Sequence, residues 1–323
     1  MAQLTHDKYL QKKQTLIERT ATALNVSAQQ ATELLSTPRQ QSVRINTLKV
    51  SVAEGKMLLD EAGVLYSLVP WIQNGVYIEQ GLEAVRDLDA TINGELYIQN
   101  AASWLPVLAL DPKPGQAILD VCAAPGGKTS HIAQQTNNEA SITANDNSRP
   151  RLHKLQNNLA RLGVKQTEFL LHDATRLTSK LGVEQFDAIL LDAPCSGEGM
   201  MLLGNKKDFE SWSVAHIKRL QQLQKKLIVQ AWQLLKPGGT LVYSTCTMAP
   251  EENEAVVDYL LRHNDDIEID NFSELRAELT NTSPAVTEWN GKKYHGDISK
   301  TLRLHPSPQV EAFFVAKLIK RPE

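Results

Sequence analysis

Ala117-Ile-Leu-Asp-Val-Cys-Ala-Ala-Pro-Gly-Gly-Lys-Thr129 reads as an apolar strand that runs into a glycine-bearing loop and then a helix. Glycines let a backbone approach a ligand closely, and open α/β sheets bind ligands just beyond the carboxyl ends of their strands. The stretch is therefore a candidate cofactor loop. Two other uses of such a loop fail on spacing. A phosphate-binding loop needs Gly-x-x-x-x-Gly-Lys-[Ser/Thr], and Cys122 stands where its first glycine is required. A nicotinamide loop needs Gly-x-Gly-x-x-Gly, which does not occur here.

Outward from this loop, strand and helix patterns alternate, which predicts an α/β fold with a mostly parallel sheet. Strands are expected over Ala117 to Cys122, Ser141 to Asn145, Glu168 to His172, Phe186 to Asp192, Thr240 to Cys246 and Val310 to Ile319. Helices are expected from Pro150 to Leu162, from about Val214 to Leu235, and from Glu251 to His263. Upstream, two helices precede residue 40, the second opened by Ser27-x-x-Gln30. A strand from Arg44 to Val50, a helix opened by Ser51-x-x-Glu54 and stopped by Gly63, and a strand near Leu68 to Ile78 follow. Gln80 to Gly94 reads as a linker. The expected units are an accessory module, 1–95, and a catalytic domain, 96–323. Asn264 to Gly296 is polar and carries no assignable pattern.

With 22% charged residues, 42% hydrophobic residues and a formal net charge of -3, the chain has an ordinary globular composition. Bulk charge does not announce a nucleic acid. No apolar run reaches the roughly 18 residues a membrane span needs, and the N-terminus has no apolar targeting core, so a cytoplasmic protein is expected. Cys122, Cys195 and Cys246 are odd in number, widely spaced and without a CxxC pair. Neither a disulfide framework nor a metal site is indicated.

Asp146, about 20 residues past the glycines and at the end of the second strand, is placed to accept hydrogen bonds from a ribose. Asp173 ends the third strand in the same way, beside the expected place of an adenine. Singly, each is as readily a helix cap. Asp192 and Cys195 follow the fourth strand and Cys246 ends the fifth. If those strands are neighbours, about 4.8 Å apart, both thiols open onto one crevice. Such a set suits methylation of carbon 5 of cytosine, which is too electron-poor to attack a methyl sulfonium. A thiolate adding to carbon 6 makes carbon 5 nucleophilic, a carboxyl near N3 stabilises the adduct, and a second base removes the carbon 5 proton. Cys122 reads as a small buried hydrophobe with only its backbone at the cofactor. Amine methylation would want Asp/Asn-Pro-Pro-aromatic where this chain has Asp192-Ala-Pro-Cys195.

At these residues the chain resembles the RsmB/RsmF/Sun class of RNA 5-methylcytosine methyltransferases, in particular its RsmF-like ribosomal RNA branch. The motifs run along nearly the whole length: Arg44-Ile-Asn-Thr-Leu-Lys49, Tyr97-Ile-Gln-Asn-Ala-Ala-Ser103, Asp120 to Thr129, Asp192 to Gly199, Leu241-Val-Tyr-Ser-Thr-Cys246 and Pro250-Glu-Glu-Asn-Glu254. The resemblance implies a Rossmann-like S-adenosylmethionine-dependent methyltransferase domain with an antiparallel last strand and a small N-terminal helical and α/β accessory domain. It implies that Cys122, Ala123, Ala124, Pro125, Gly126, Gly127, Lys128, Asp146, Asp173 and Asp192 line the S-adenosyl-L-methionine site. Cys246 would be the nucleophile, with Cys195 assisting product release and Asp192 completing the catalytic set. Ala312 replaces the glycine that usually precedes the two phenylalanines of the last strand.

The implied partner is RNA, as ribosomal RNA or a ribosomal subunit, bound by a monomer with no metal and no membrane. RsmF-like relatives often carry a C-terminal RNA-binding extension, and this sequence stops at Glu323. RNA contacts are therefore expected from the N-terminal module, where Lys8, Lys12, Lys13, Arg19, Arg39, Arg44 and Lys49 outnumber Asp7, Glu18 and Glu33, and from Lys206 and Lys207. Two rivals stay open: a DNA cytosine methyltransferase with its nucleophile at Pro194-Cys195, and a non-catalytic RNA-binding assembly factor.

Overall fold

The computed structural model describes residues 5–322. Helix α1 (His6–Leu24) is capped by Thr5, and α2 (Ala28–Ser36) by the full Ser27/Gln30 capping box that its sequence predicts. Their apolar faces, with Leu16, Ile17 and Leu35, pack on Met201, Phe209 and Trp212, the segment that follows Cys195. The two helices thus pack against the catalytic body, while the small sheet has a core of its own.

That sheet is antiparallel, in the order β2-β3-β1-β4. It comprises β1 (Ser42–Ile45), β2 (Leu65–Leu68), β3 (Gly75–Gln80) and β4 (Leu96–Ile98). Helix α3 (Val52–Glu61) crosses between β1 and β2, opened by the expected Ser51/Glu54 box. The predicted strand Arg44 to Val50 stops at Ile45. Asn46 there turns the chain, its Oδ1 accepting from Leu48 N–H while its amide donates to the carbonyls of Gly94 and Leu162. The predicted Leu68–Ile78 strand is two strands around a turn at Pro70 to Asn74. The expected linker is α4 (Leu82–Asp87) and α5 (Asp89–Asn93), bracketed by Gly81 and Gly94, both at positive φ. Strand β4 closes the small sheet past residue 95.

A short α6 (Leu105–Leu110) leads into the large sheet, and α/β alternation follows. The elements are β5 (Ala117–Asp120), α7 (Gly127–Gln135), β6 (Ser141–Asp146), α8 (Arg149–Arg161), β7 (Thr167–Leu171), α9 (Leu177–Leu181), β8 (Phe186–Asp192), α10 (Val214–Leu234), β9 (Leu235–Thr245) and α11 (Glu254–Leu261). The polar region holds β10 (Ile267–Ile269), α12 (Ser273–Glu278), β11 (Thr282–Ser283) and a hairpin of β12 (Glu288–Trp289) and β13 (Lys292–Lys293). β14 (Leu302–Leu304) and β15 (Phe313–Lys320) end the fold.

Spatial order is β7-β6-β5-β8-β9-β15-β14-β11, with β5 to β9 parallel and β15 antiparallel to β9. This is the Rossmann-like arrangement. The order reverses at β5, which pairs β6 on one side and β8 on the other, and a crevice opens there at the carboxyl ends. Buried aliphatic side chains cover both faces of the parallel strands, as such sheets require. Among the described residues no helix is long and apolar enough to cross a membrane.

Candidate active site

The loop after β5 bends through a cis Ala124–Pro125 peptide to Gly126, whose φ of 105° suits glycine, and then enters α7. A side chain at Gly127 would stand 2.8 Å from the Gln99 amide, so α7 lies close against the Tyr97–Ser103 segment. Beyond the strand ends lies a cavity of about 340 Å³, lined by Cys122, Asp146, Asp173, Asp192, Cys195 and Cys246 among others. Asp146 is 3% exposed, accepts from Ser148 N–H at 2.9 Å and faces Arg151 at 3.3 Å. Asp173 both lines the cavity and caps the turn after β7, where the Thr175 amide and hydroxyl hold its carboxyl below the usual range.

A second space of about 180 Å³ shares Cys122, Ala124 and Asp192 and adds Ala123, Pro125, Gly127, Lys128 and Asp120. Asp120 is buried, which raises its carboxyl to about 7. Thr129 donates to its Oδ2 at 2.7 Å, and its Oδ1 has no partner among the described residues. An S-adenosylmethionine molecule fits this donor set. Asp146 can take ribose hydroxyls, and the free Asp120 oxygen can take an ammonium.

The pairing of Asp192 with Ser244 in parallel β8 and β9 aligns the two thiol loops. Cys195 Sγ and Cys246 Sγ lie 3.3 Å apart. The contact with Cys246 and burial push the Cys195 thiol well up. Asp192 accepts from Ser244 Oγ at 2.8 Å and from Lys128 Nζ at 2.7 Å. Burial alone would lower the Lys128 ammonium, but Asp192 outweighs it and the shift is upward. Lys128 also donates to Ser103 Oγ at 2.9 Å. Sequence reasoning had placed Lys128 only against the cofactor, whereas it reaches the carboxylate beside the thiols.

Behind the thiols, the Pro250–Glu254 motif spreads its polar residues over four different anchors. Glu251 pairs with Arg19 of α1 at 2.7 Å. Glu252 accepts from Ser196 N–H at 3.0 Å and Gln224 Nε2 at 2.8 Å. Asn253 takes the Thr245 hydroxyl and donates to the Thr247 carbonyl. Glu254 and Arg303 form a fully buried pair at 2.5 Å. Asp120, Ser103, Glu198 and Glu252 were not singled out from sequence, although all lie inside the quoted motifs, where their spacing gives no hint of their partners.

Of the basic N-terminal residues expected to meet phosphates, Arg44 is instead buried, and four others make contacts within the chain. Arg44 is 1% exposed and bonds to Ser130, Gln134 and the Gly127 carbonyl. Arg19 holds Glu251, Lys12 donates to the Phe209 carbonyl, Arg39 to that of Leu34, and Lys49 to that of Asn93. Lys8, Lys49, Lys206 and Lys207 are exposed, and Lys13 is half-buried.

Comparison with known proteins agrees with this architecture. The family model for the 16S rRNA methyltransferase RsmB/F matches residues 107–319, and that for the N-terminal domain of the 16S rRNA methyltransferase RsmF matches residues 13–101. A tRNA (cytosine(49)-C(5))-methyltransferase of Pyrococcus abyssi is 41% identical, covering 88% of this chain and 89% of that protein. Ribosomal RNA small subunit methyltransferase F of Escherichia coli is 40% identical over 88% of this chain, which spans only 57% of that longer relative. Among solved structures, a methyltransferase homolog protein from Pyrococcus horikoshii superposes with a TM-score of 0.78 at 34% identity, over 95% of this chain and 99% of that one. NSun6 from the same organism, solved with SFG, gives 0.80 at 25% identity, over 95% of this chain and 98% of that one. With a family model along more than half of its length and relatives this close along most of it, the chain belongs to the RsmB/F methyltransferase family.

Proposed function

We propose that this chain methylates carbon 5 of a cytosine in RNA, with Cys246 as covalent nucleophile and Cys195 as its partner. The observation that carries this reading is the 3.3 Å approach of two thiols beside Asp192 at the mouth of the cofactor crevice. Bound S-adenosylmethionine supplies an electrophilic methyl group. The Cys246 thiol releases its proton to solvent, its sulfur forms a bond to carbon 6, and the Lys128–Asp192 pair feeds a proton toward N3, leaving carbon 5 electron-rich. Cys195 gives up its own thiol proton to solvent against the upward push of its surroundings, and once carbon 5 has taken the methyl group this thiolate accepts the proton that carbon 5 loses. The C6–S bond then breaks, its electrons return to Cys246, N3 returns its proton to the Lys128–Asp192 pair, and the ring regains its aromaticity. Cofactor contacts are assigned to residues 122–128, Asp146 and Asp173, and backbone contacts near a flipped base to Lys206 and Lys207.

Ribosomal RNA is the favoured substrate, because both matching family models bear the names of 16S rRNA enzymes. Transfer RNA is the second reading, favoured by the 41% identical archaeal relative. Single alanine substitutions test the chemistry. Cys195→Ala should accumulate a denaturation-resistant protein–RNA adduct, and Cys246→Ala should form none and methylate nothing. The reverse pattern would make Cys195 the nucleophile, as in the DNA-type rival, and normal RNA binding without any methyl transfer by the unsubstituted chain would leave only the assembly-factor reading. Bisulfite-resistant cytosines in total RNA, compared with and without the gene, identify the substrate.

A further inference from the structure

The residue after each thiol is a hydroxyl, and the two hydroxyls touch. Ser196 Oγ lies 2.8 Å from Thr247 Oγ1. Ser196 Oγ also contacts Glu252 Oε1, and Thr247 Oγ1 contacts Glu198 Oε2 at 3.1 Å. The result is a row of four oxygens, Glu252–Ser196–Thr247–Glu198, with three oxygen–oxygen contacts. Each contact needs one proton between its oxygens. The two hydroxyls supply two. A third must therefore sit on one of the carboxyls, because two bare carboxylates would leave one pair of oxygens facing each other by lone pairs alone.

The surroundings favour that third proton. Glu198 is 2% exposed and Glu252 fully buried, and among the described residues neither makes an ion pair. Burial raises both carboxyls, Glu252 to about 7. The remaining acceptor sites are already filled, Glu252 Oε2 by Ser196 N–H and Gln224, and Glu198 Oε1 by the Trp212 indole N–H. The charged or titratable groups facing the row are Cys195 and Tyr243 on the Glu252 side, and Arg19 and Glu251 on the Glu198 side. Only Arg19 is a cation, and its guanidinium is already bonded to Glu251.

We infer that Glu198 and Glu252 share a single proton through Ser196 and Thr247, and that this one-proton clasp fixes the two thiol loops against each other. The four residues position Cys195 and Cys246 without touching substrate. Loss of the proton at alkaline pH leaves one contact unsupported, and the loops part. The positioning role rests on the reading of the two cysteines as the reacting pair. The proton count rests on oxygen positions alone.

Infrared difference spectroscopy and stability measurements on the full chain test the count independently of activity. A glutamine at either end donates permanently, so it takes over the third proton and leaves the opposite carboxyl ionised. Glu198→Gln and Glu252→Gln should therefore each delete the same protonated-carboxyl C=O band present in the unsubstituted protein at pH 6. The double substitution, which sets a donor against a donor, should lower the melting temperature by more than the two single effects added. The unsubstituted protein should lose stability relative to Glu252→Gln as pH rises from the ordinary glutamate range through 7, because its native state holds a proton that the unfolded chain has released. A methyl-transfer profile whose alkaline limb moves up in Glu252→Gln would support the positioning role. Absence of the band, its survival in either single variant, or additive single effects would overturn the shared proton. An unchanged alkaline limb with the band behaving as expected would overturn the positioning role alone.

Discussion

Arg44 Nη2 donates to Ser130 Oγ at 2.7 Å, across the junction between the small antiparallel sheet and the helix that carries the cofactor loop. The same guanidinium reaches Gln134 and the Gly127 carbonyl and lies 5.5 Å from the Tyr97 ring centroid. Burial lowers it to about 10, still far above neutrality, so it is a buried cation held by neutral acceptors. Asn46 extends the junction by donating to Gly94 and Leu162 carbonyls. The Arg44–Lys49 motif thus fixes the accessory sheet to α7 and to the loop proposed to hold the cofactor.

Arg44→Ala should strand those acceptors and cost about 3 kcal/mol of stability, in the range for breaking a buried charged contact. Cofactor affinity should fall with it, because α7 loses its outer support. Arg44→Lys should recover little, since an ammonium cannot span three acceptors from one stem. Thermal denaturation and calorimetric titration with the cofactor check both effects. RNA affinity at fixed cofactor saturation should barely change, which separates this role from phosphate binding.

The two facing sulfurs make the site sensitive to oxidation. They sit 3.3 Å apart, and a disulfide needs about 2 Å, so a small loop movement suffices. Diamide should take two electrons and two protons from the pair and join Cys195 to Cys246, abolishing methyl transfer until a thiol reductant restores it. Cys122, which among the described residues contacts neither sulfur of the pair, should stay out of the reaction. Peptide mapping that found Cys195 and Cys246 unlinked after full inactivation would refute this.

The parallel sheet, its crossover helices and the facing of the two thiols were legible because each rests on a local pattern. Ala188–Leu191 is an unbroken apolar run, and Cys195 and Cys246 follow strands that pair as neighbours in the sheet. The turn at Asn46 escaped because its partners, the carbonyls of Gly94 and Leu162, are distant in sequence. Arg44 misled for the same reason. An arginine in a strand looks like a surface cation until the acceptors on α7 are known. The roles of Glu198 and Glu252 depend on hydroxyl positions, which no sequence pattern encodes.

Asp120 supplies a pH dependence for cofactor binding. Its carboxyl is raised to about 7 by burial, and its Oδ1 lacks a partner in the chain. An ammonium of the cofactor pairs with it only when it is ionised, so affinity should strengthen as pH rises from 6 to 8, with most of the change near 7. Asp120→Asn should weaken binding and flatten the profile. Equal slopes for the two proteins in calorimetric titrations at pH 6, 7 and 8 would show that Asp120 does not face the cofactor.

Gly199 tests how tightly Cys246, the proposed nucleophile, is held. Its N–H donates to the Cys246 carbonyl at 3.0 Å. A methyl group there would stand 2.4 Å from the Ala312 carbonyl oxygen and 2.9 Å from that of Cys246. Both obstacles are backbone, so one of the two segments must move. Displacing β15's approach at Ala312 would cost stability, about 1–3 kcal/mol for overpacking. Displacing Cys246 would cost rate, because an error of about 1 Å in a reacting group lowers turnover roughly a hundredfold. Gly199→Ala should therefore remain folded with a melting temperature a few degrees lower and bind cofactor within severalfold of normal, since Asp146 and Asp173 lie on other strands. Its methyl transfer should fall at least about tenfold, with kcat rather than KM carrying the loss. A variant with full turnover would show that the 246 segment has slack, and the tight placement of the nucleophile would have to be abandoned.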